Sequence, residues 1–213
     1  MVVPLAGTND NVVELLRWLQ SRVAQIVLSV DCTTRLPANL PANVQVVRSP
    51  RSRGGQIRHG IKHSTEALIW VVHADSKRLD EPLHYLESLD SQLLCWGRFD
   101  VNLPGLGLIA RLMNWRSRLT RVCTGDQGMF FHRQALEQID GYPDQALMED
   151  IEVSNRLKRM PHIQFLSPRQ TITSSPNRWF NNGVVSTVLR MWWFRLRYFF
   201  GANPKKLFDQ YYG

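Results

Sequence analysis

Four short stretches of the sequence hold residue types that could do chemistry at the spacing chemistry needs. In Val71-Val72-His73-Ala74-Asp75-Ser76 an apolar run ends on a carboxylate. An acid closing a buried strand is a place to hold a divalent cation that carries phosphates, because hard Mg²⁺ or Mn²⁺ prefers carboxylate oxygen. The same pattern also describes an aspartate that only caps the next turn. From Arg48 to Lys62 there are five basic residues, no acid, and the pair Gly54-Gly55. Glycine lets a backbone approach a ligand closely, and an arginine fork grips phosphate through two parallel hydrogen bonds. A solvated loop would have a similar composition. Met148-Glu149-Asp150-Ile151-Glu152 offers adjacent carboxylates, one of which could act as general base toward a hydroxyl nucleophile; acids are equally at home at the start of a helix. Ser174-Ser175-Pro176-Asn177-Arg178-Trp179 sets a guanidinium beside an indole. That pair could meet a leaving phosphate and a sugar ring, or Trp179 could simply pack in the core.

The hydrophobic pattern supplies elements to position these residues. Met1–Leu5 reads as a strand, and Val12, Leu15, Leu16 and Leu19 recur at helical spacing within Val12–Arg22. Gln25–Val30 and Val44–Arg48 are strand-like runs on either side of a Pro-rich connection; a helix over Gln56–Thr65 and a strand over Leu68–His73 follow. Strand–helix–strand alternation predicts a parallel sheet covered by helices, whose ligands sit beyond the carboxyl ends of the strands. Asp31, after the second strand, and Asp75, after the fourth, stand there. The second half is less regular. It holds a helix Leu83–Leu89, a strand near Leu94–Phe99, a basic helix around Ile109–Leu119, and a Gly125-Asp126-Gln127-Gly128 loop before Met129-Phe130-Phe131. A helix Ile151–Met160 opens on Glu149-Asp150. With no repeat or clear linker, one domain over residues 1–213 is expected.

The 213 residues are 44% hydrophobic and 21% charged, which excludes a disordered, collagen-like or disulfide-framework protein. The net charge of +8 is uneven: residues 153–213 hold ten Lys/Arg against one acid, a net of +9, leaving −1 for residues 1–152. Cys32, Cys95 and Cys123 are odd in number and match no metal spacing, so buried free thiols in a reducing cytosol are expected. The chain opens on a strand rather than a basic-then-apolar leader, and no stretch approaches the roughly 18 apolar residues of a spanning helix. A cytoplasmic protein is expected. The segment Trp179–Phe200 interleaves aromatics with arginines. It fits either a final helix packed on the sheet or an interfacial helix on an anionic membrane surface at the inner face of the membrane.

Taken in order, these residues resemble the inverting family 2 glycosyltransferases of GT-A fold, and most resemble the small subgroup of selenium-domain-associated transferases. The resemblance covers nearly the whole chain and rests on order and spacing. The stretches that carry it include Gly54-Gly55-Gln56, Val72-His73-Ala74-Asp75, Asn114-Trp115-Arg116, Gly125-Asp126-Gln127, Gly141-Tyr142-Pro143, Leu147-Met148-Glu149-Asp150 and Arg178-Trp179.

The resemblance implies a GT-A-like nucleotide-diphospho-sugar transferase fold of α/β class, with a mostly parallel central sheet flanked by helices. It also implies a division into a nucleotide-binding half (1–76), an acceptor half (77–180) and a basic aromatic C-terminal helix and tail (181–213). Asp75 stands where the family's metal-binding motif ends, with His73 in place of its first acid, so the implied cofactor is a divalent cation, Mg²⁺ or Mn²⁺. Asp150, after Glu149, stands at the family's catalytic base. Asp31, Arg53, Gln56 and Arg178 fall on the side of the nucleotide-diphosphate sugar donor, and Asp126, Gln127 and Trp179 on the side of the acceptor, which a membrane-bound protein would meet as a lipid-linked hydroxyl. Three departures lie on the donor side. The family's Pro-x-x-Asn-Glu becomes Gly7 and Thr8 counted from Pro4, with Asn9-Asp10 fitting only after a shift; Cys32-Thr33-Thr34-Arg35 replaces a Gly-Gly-Ser and an acid; and Gln56-Ile57-Arg58 replaces Gln-x-Asn. Alternatives are a basic phosphate-binding module for nucleic acid or anionic lipid, and a nucleotidyltransferase. Against these, no nucleic-acid motif is present, and the first strand is not followed by a Gly-rich, Lys-bearing signature.

Overall fold

The computed structural model describes residues 1–7, 11–37 and 39–212, apart from the side chains of Arg178 and Tyr212. Thr8, Asn9 and Asp10, which carry one departure from the family pattern, lie outside the described residues.

Three strands, β1 (Val2–Leu5), β2 (Ile26–Asp31) and β3 (Val44–Ser49), form a parallel ladder in that order, with Val2 opposite Val27 and Val27 opposite Gln45. Period-two alternation sorts their side chains to two faces. Val3, Leu5, Leu28 and Val30 meet Val12, Leu16 and Leu19 of α1 (Asn11–Leu19), whereas Val2, Val27 and Val47 meet Ile57 and Ile61 of α2 (Arg53–His63). Helices on both faces explain why β1 and β2 are buried end to end.

The sheet continues through β4 (Leu68–Trp70), whose extension bridges to β1: Val71 pairs with Val2, and the Val72 N–H donates to the Val2 carbonyl at 3.1 Å. Next come β7 (Phe130–His132), β5 (Cys95–Gly97) and β8 (Gln164–Leu166). Only β7 runs against its neighbours among the described strands of this sheet, so the sheet is mostly parallel, as expected. The order β3-β2-β1-β4-β7-β5-β8 leaves the carboxyl ends of β1, β2 and β4 on one edge.

The strand expected near Leu94–Phe99 divides. After β5 the chain leaves the main sheet, and β6 (Asp100–Asn102) pairs in parallel with β9 (Thr171–Thr173) in a small second sheet. Arg98 sits at this crossing. Its fully buried guanidinium pairs with Asp100 and donates to the Asn114 carbonyl of α4 (Gly107–Thr120) at 3.0 Å. The Asn114 amide in turn clasps both backbone groups of Val101, at 2.9 and 3.0 Å.

The remaining helices are α3 (Asp80–Glu87), α5 (Arg133–Glu137), α6 (Glu149–Leu157), α7 (Asn177–Asn181), α8 (Val184–Phe199) and α9 (Pro204–Tyr212). The expected continuous segment Trp179–Phe200 is two helices, broken where Gly183 takes φ +77°. Of the two readings of this segment, α8 does pack, but away from the main sheet. Instead, α8 rests on two satellite clusters, one around Val101, Leu103 and Trp179, the other around Leu147 and Leu207, and its opposite face meets solvent. All three cysteines are free, but Cys32 is exposed rather than buried, because it follows Asp31 at the open end of β2. Among the described residues no helix is long and apolar enough to cross a membrane.

Candidate active site

The sheet edge, the start of α2, the 3₁₀ turn Gly125–Gln127 and the start of α6 converge on Arg53. Its Nε lies 2.8 Å from Glu149 Oε1, and its Nη2 lies 2.9 Å from His73 Nε2. Arginine can only donate, so His73 Nε2 accepts and the ring is neutral with its proton on Nδ1. Burial, with Arg53 beside it, pushes His73 down to about 3. Burial pushes the Glu149 carboxyl up to about 8, with Arg53 opposing the shift and Asp150 reinforcing it.

Arg53 is held by α2, which Ser52 caps by accepting the Gly55 N–H at 3.1 Å. The helix therefore begins three residues before the expected Gln56. The glycine pair answers to protein rather than ligand: a Cβ on Gly54 would collide with the Pro143 carbonyl, and the Gly54 N–H donates to Gln145 O at 3.1 Å.

Two clefts meet at Arg53. One is lined by Arg53, Asp126, Glu149 and Asp150 together with Trp179, Thr187, Met191, Phe194 and Arg195. The other is lined by Pro4, Ala6, Arg51, Gln56, His73 and Phe208. Asp150 opens α6. Its Oδ2 accepts the Gly125 N–H at 3.1 Å and its Oδ1 accepts the Ile151 N–H at 2.8 Å, so the carboxylate is aimed by backbone. Arg116 of α4 is close enough for its charge and that of Asp150 to interact. The Asp75 carboxyl is raised from its ordinary value, first by burial and then by the Asp126 carboxylate.

Other expected site residues sit differently. Asp31 is buried, and its Oδ1 accepts from the Thr33 N–H and hydroxyl and the Thr34 N–H at 2.7–2.8 Å. Burial works to raise its pKa, but these bonds outweigh it and hold the group low. The pattern Asp31-Cys32-Thr33-Thr34 is thus a closed turn at the strand end. Gln56 is a wall residue: its buried amide donates to Leu5 O at 2.7 Å. Gln127 is corrected from acceptor contact to scaffold, since its side chain is fully buried and bonded to Thr124 N, Ser117 Oγ and Asn114 Oδ1. Trp179 is both core and cleft wall. The Arg178 side chain lies outside the described residues.

Sequence reasoning missed the contribution of the C-terminal helices. Thr187 is 5% exposed, and its hydroxyl has no hydrogen-bond partner among the described residues although it lines the Asp150 cleft. Phe208 of α9 lines the second cleft. The helical spacing of α8 was visible, but which of its faces would turn inward was not.

No family model and no curated protein sequence matches the chain. Solved structures do. A mannosyltransferase from Pyrobaculum calidifontis, determined with GDP-Man and Mn²⁺, superposes with TM-score 0.61 at 14% identity over 81% of this chain and 55% of its own. The fold is GT-A-like. TarS 1-349 of S. aureus superposes with TM-score 0.57 at 13% identity over 89% of this chain and 64% of its own. Glucosyl-3-phosphoglycerate synthase from Mycobacterium tuberculosis, with Mn²⁺, UDP and phosphoglyceric acid, gives 0.52 at 10% identity over 80% and 67%. The chain thus spans between about half and two thirds of the length of these structures.

Proposed function

We propose that the protein is an inverting glycosyltransferase of family 2 type that moves a sugar from a nucleotide-diphosphate donor to an acceptor hydroxyl. The observation that carries this reading is Asp150. It is a carboxylate at the head of a helix, aimed by two backbone N–H groups into a cleft that also holds a guanidinium, in a fold whose solved neighbours include proteins bound to GDP-Man and UDP-GlcNAc.

In this reading the Pro4–Gln56–His73 cleft receives the nucleotide, with Asp31 at its strand edge, and the Asp150 cleft receives the acceptor. Asp150 takes the proton from the acceptor hydroxyl as its oxygen attacks the anomeric carbon; the bond from that carbon to the diphosphate oxygen breaks on the opposite face, and the configuration inverts. Arg53, on both cleft walls, offers positive charge to the leaving diphosphate, and Arg178 is proposed to add to it.

The residues present fit a divalent cation in part. Among the described residues no three His, Cys, Asp or Glu side chains converge as a ready-made metal site, but the Asp126 carboxylate raises Asp75, and a hard cation would relieve that repulsion. His73 fits less well, because its acceptor nitrogen already faces Arg53. Asp75 would hold the ion, phosphate and water would complete its shell, and the bound ion would neutralise the diphosphate.

The test is a thermal-shift screen of GDP- and UDP-sugars with and without Mn²⁺, followed by product detection with Asp75→Ala and Asp150→Asn. A ligand bound only by the folded state stabilises it by about 2.7 kcal/mol at a hundredfold excess over Kd. The Asp150→Asn variant is expected to bind donor normally and lose about 10²–10⁴-fold in kcat. Absence of any nucleotide-sugar shift, or undiminished transfer in both variants, overturns the proposal.

A further inference from the structure

We propose that α8, together with α4, which rests on the same satellite core, is a docking face for an anionic membrane surface. On α8, Val185, Leu189, Trp192, Leu196 and Phe199 recur every three or four residues along one side, and all are exposed, Trp192 at 72% and Phe199 at 82%. On α4, Leu108, Leu112, Trp115 and Leu119 repeat the arrangement, again exposed, Leu108 at 71%. Both helices already bury another side, α8 through Thr187 and Phe194 and α4 through Ala110 and Ser117. Each is therefore apolar on the side that packs and apolar on the side that faces water. In a helix serving only the fold that outer side would be polar. Exposed apolar residues are ordinary when scattered; two stripes at helical spacing are not.

Charge selects the occupant. Neither helix contains an acid; of their six arginines, Arg195 lines the Asp150 cleft, Arg116 interacts with Asp150 and Arg118 pairs with Asp100, which leaves Arg111, Arg190 and Arg197 toward solvent. A second copy of the chain would set arginine against arginine across a two-fold axis, which is unfavourable. A bilayer with anionic headgroups offers apolar depth for Leu, Trp and Phe, and negative charge for guanidinium groups at its rim. Indole and guanidinium, each with an apolar body and a polar end, suit that boundary.

The docking face is also the back of a working wall. The inner side of α8 presents Thr187, Met191, Phe194 and Arg195 to the cleft that holds Asp150. Docking would bring that cleft to the lipid surface, where a hydroxyl on a lipid-linked acceptor could reach it; this last consequence rests on the proposed transferase reading, whereas the docking itself does not.

The experiment is sedimentation of the whole chain with vesicles of phosphatidylcholine alone and of equimolar phosphatidylcholine and phosphatidylglycerol, with no donor or acceptor added. Binding is expected to the mixed vesicles at low salt, with release as salt rises. The pair Trp192→Ser with Phe199→Ser, and the pair Leu112→Ser with Trp115→Ser, are each expected to weaken binding at least about tenfold with the melting temperature unchanged. Arg111→Gln and Arg197→Gln are each expected to weaken it about fivefold. No binding to mixed vesicles, or equal binding to both kinds, overturns the proposal. So does self-association without lipid that the Trp192→Ser variant abolishes, since that assigns the face to a second copy. Because turnover is not read, either result leaves the transferase proposal to its own test.

Discussion

Asp150 Oδ2 accepts the Gly125 N–H at 3.1 Å, which ties the first turn of α6 to the 3₁₀ turn that carries Asp126. The carboxylate proposed as base is therefore positioned by the backbone of a second element, and a change in that element should act on catalysis before it acts on folding.

Gly125→Ala tests this. A Cβ at Gly125 would collide with the ends of the Arg53 and His73 side chains, so one or both must move. Overpacking of this kind costs about 1–3 kcal/mol. Turnover is expected to fall at least about tenfold in kcat, beyond what the lost stability explains, as measured on enzyme still folded at the assay temperature. Wild-type kcat in this variant would detach the Arg53–His73 pair from the reaction.

The raised pKa of Glu149 has a definite sign in stability. Its carboxyl sits near 8 in the fold against about 4.5 free, so between those values the folded chain holds the proton more tightly than the unfolded chain. Stability from this group is complete below the lower value and drains away as pH climbs to the upper, at up to about 1.4 kcal/mol per pH unit. Denaturant melts of wild type and Glu149→Gln from pH 5 to 8 should therefore diverge, wild type losing the more. Parallel curves would mean that the buried carboxyl is charged throughout.

The three thiols should separate cleanly on alkylation. Burial pushes Cys95 up to about 11 and Cys123 up to about 12, which leaves on the order of one thiolate in a thousand or fewer at pH 8. Cys32 is exposed and should react first. Peptide mapping after brief iodoacetamide treatment reads this directly. If the nucleotide lies along the Asp31 edge, a saturating donor should slow Cys32 several-fold, and an unchanged rate would move the nucleotide elsewhere.

The Thr187 hydroxyl, buried in the cleft without a partner among the described residues, invites Thr187→Val. Removing an unsatisfied buried hydroxyl should stabilise the free protein by about 1 kcal/mol, while the acceptor KM should rise about tenfold through loss of one hydrogen bond. A stability gain without a KM change would leave the hydroxyl with no part in binding.

Much of this arrangement could be read from the chain and some could not. The alternation of Val3, Leu5, Leu28 and Val30 with the spacing of Leu15, Leu16 and Leu19 specified a helix-covered parallel sheet, because each face must be buried. Strand ends placed Asp31 and Asp75 beyond β2 and β4, and acids at a helix start placed Asp150 at the head of α6; their roles belong to the proposal. The pairing of β6 with β9 left no local trace, since Asp100 and Thr171 meet only after the chain has folded between them. Gln56 and Gln127 carry ligand-like amides whose hydrogen bonds are consumed by Leu5 O, Ser117 and Thr124, and composition does not say where an amide spends its bonds. The outward stripe of α8 was visible as spacing, but spacing alone does not distinguish a buried side from an exposed one.

Arg53 belongs to both cleft walls, and that has a thermodynamic corollary. Two ligands that each touch one guanidinium cannot bind independently: whatever factor the first imposes on the affinity of the second, the second returns to the first. Titrating either ligand in the presence of the other would measure the same number twice, and its sign would say whether the transfer complex assembles by mutual support or by mutual exclusion.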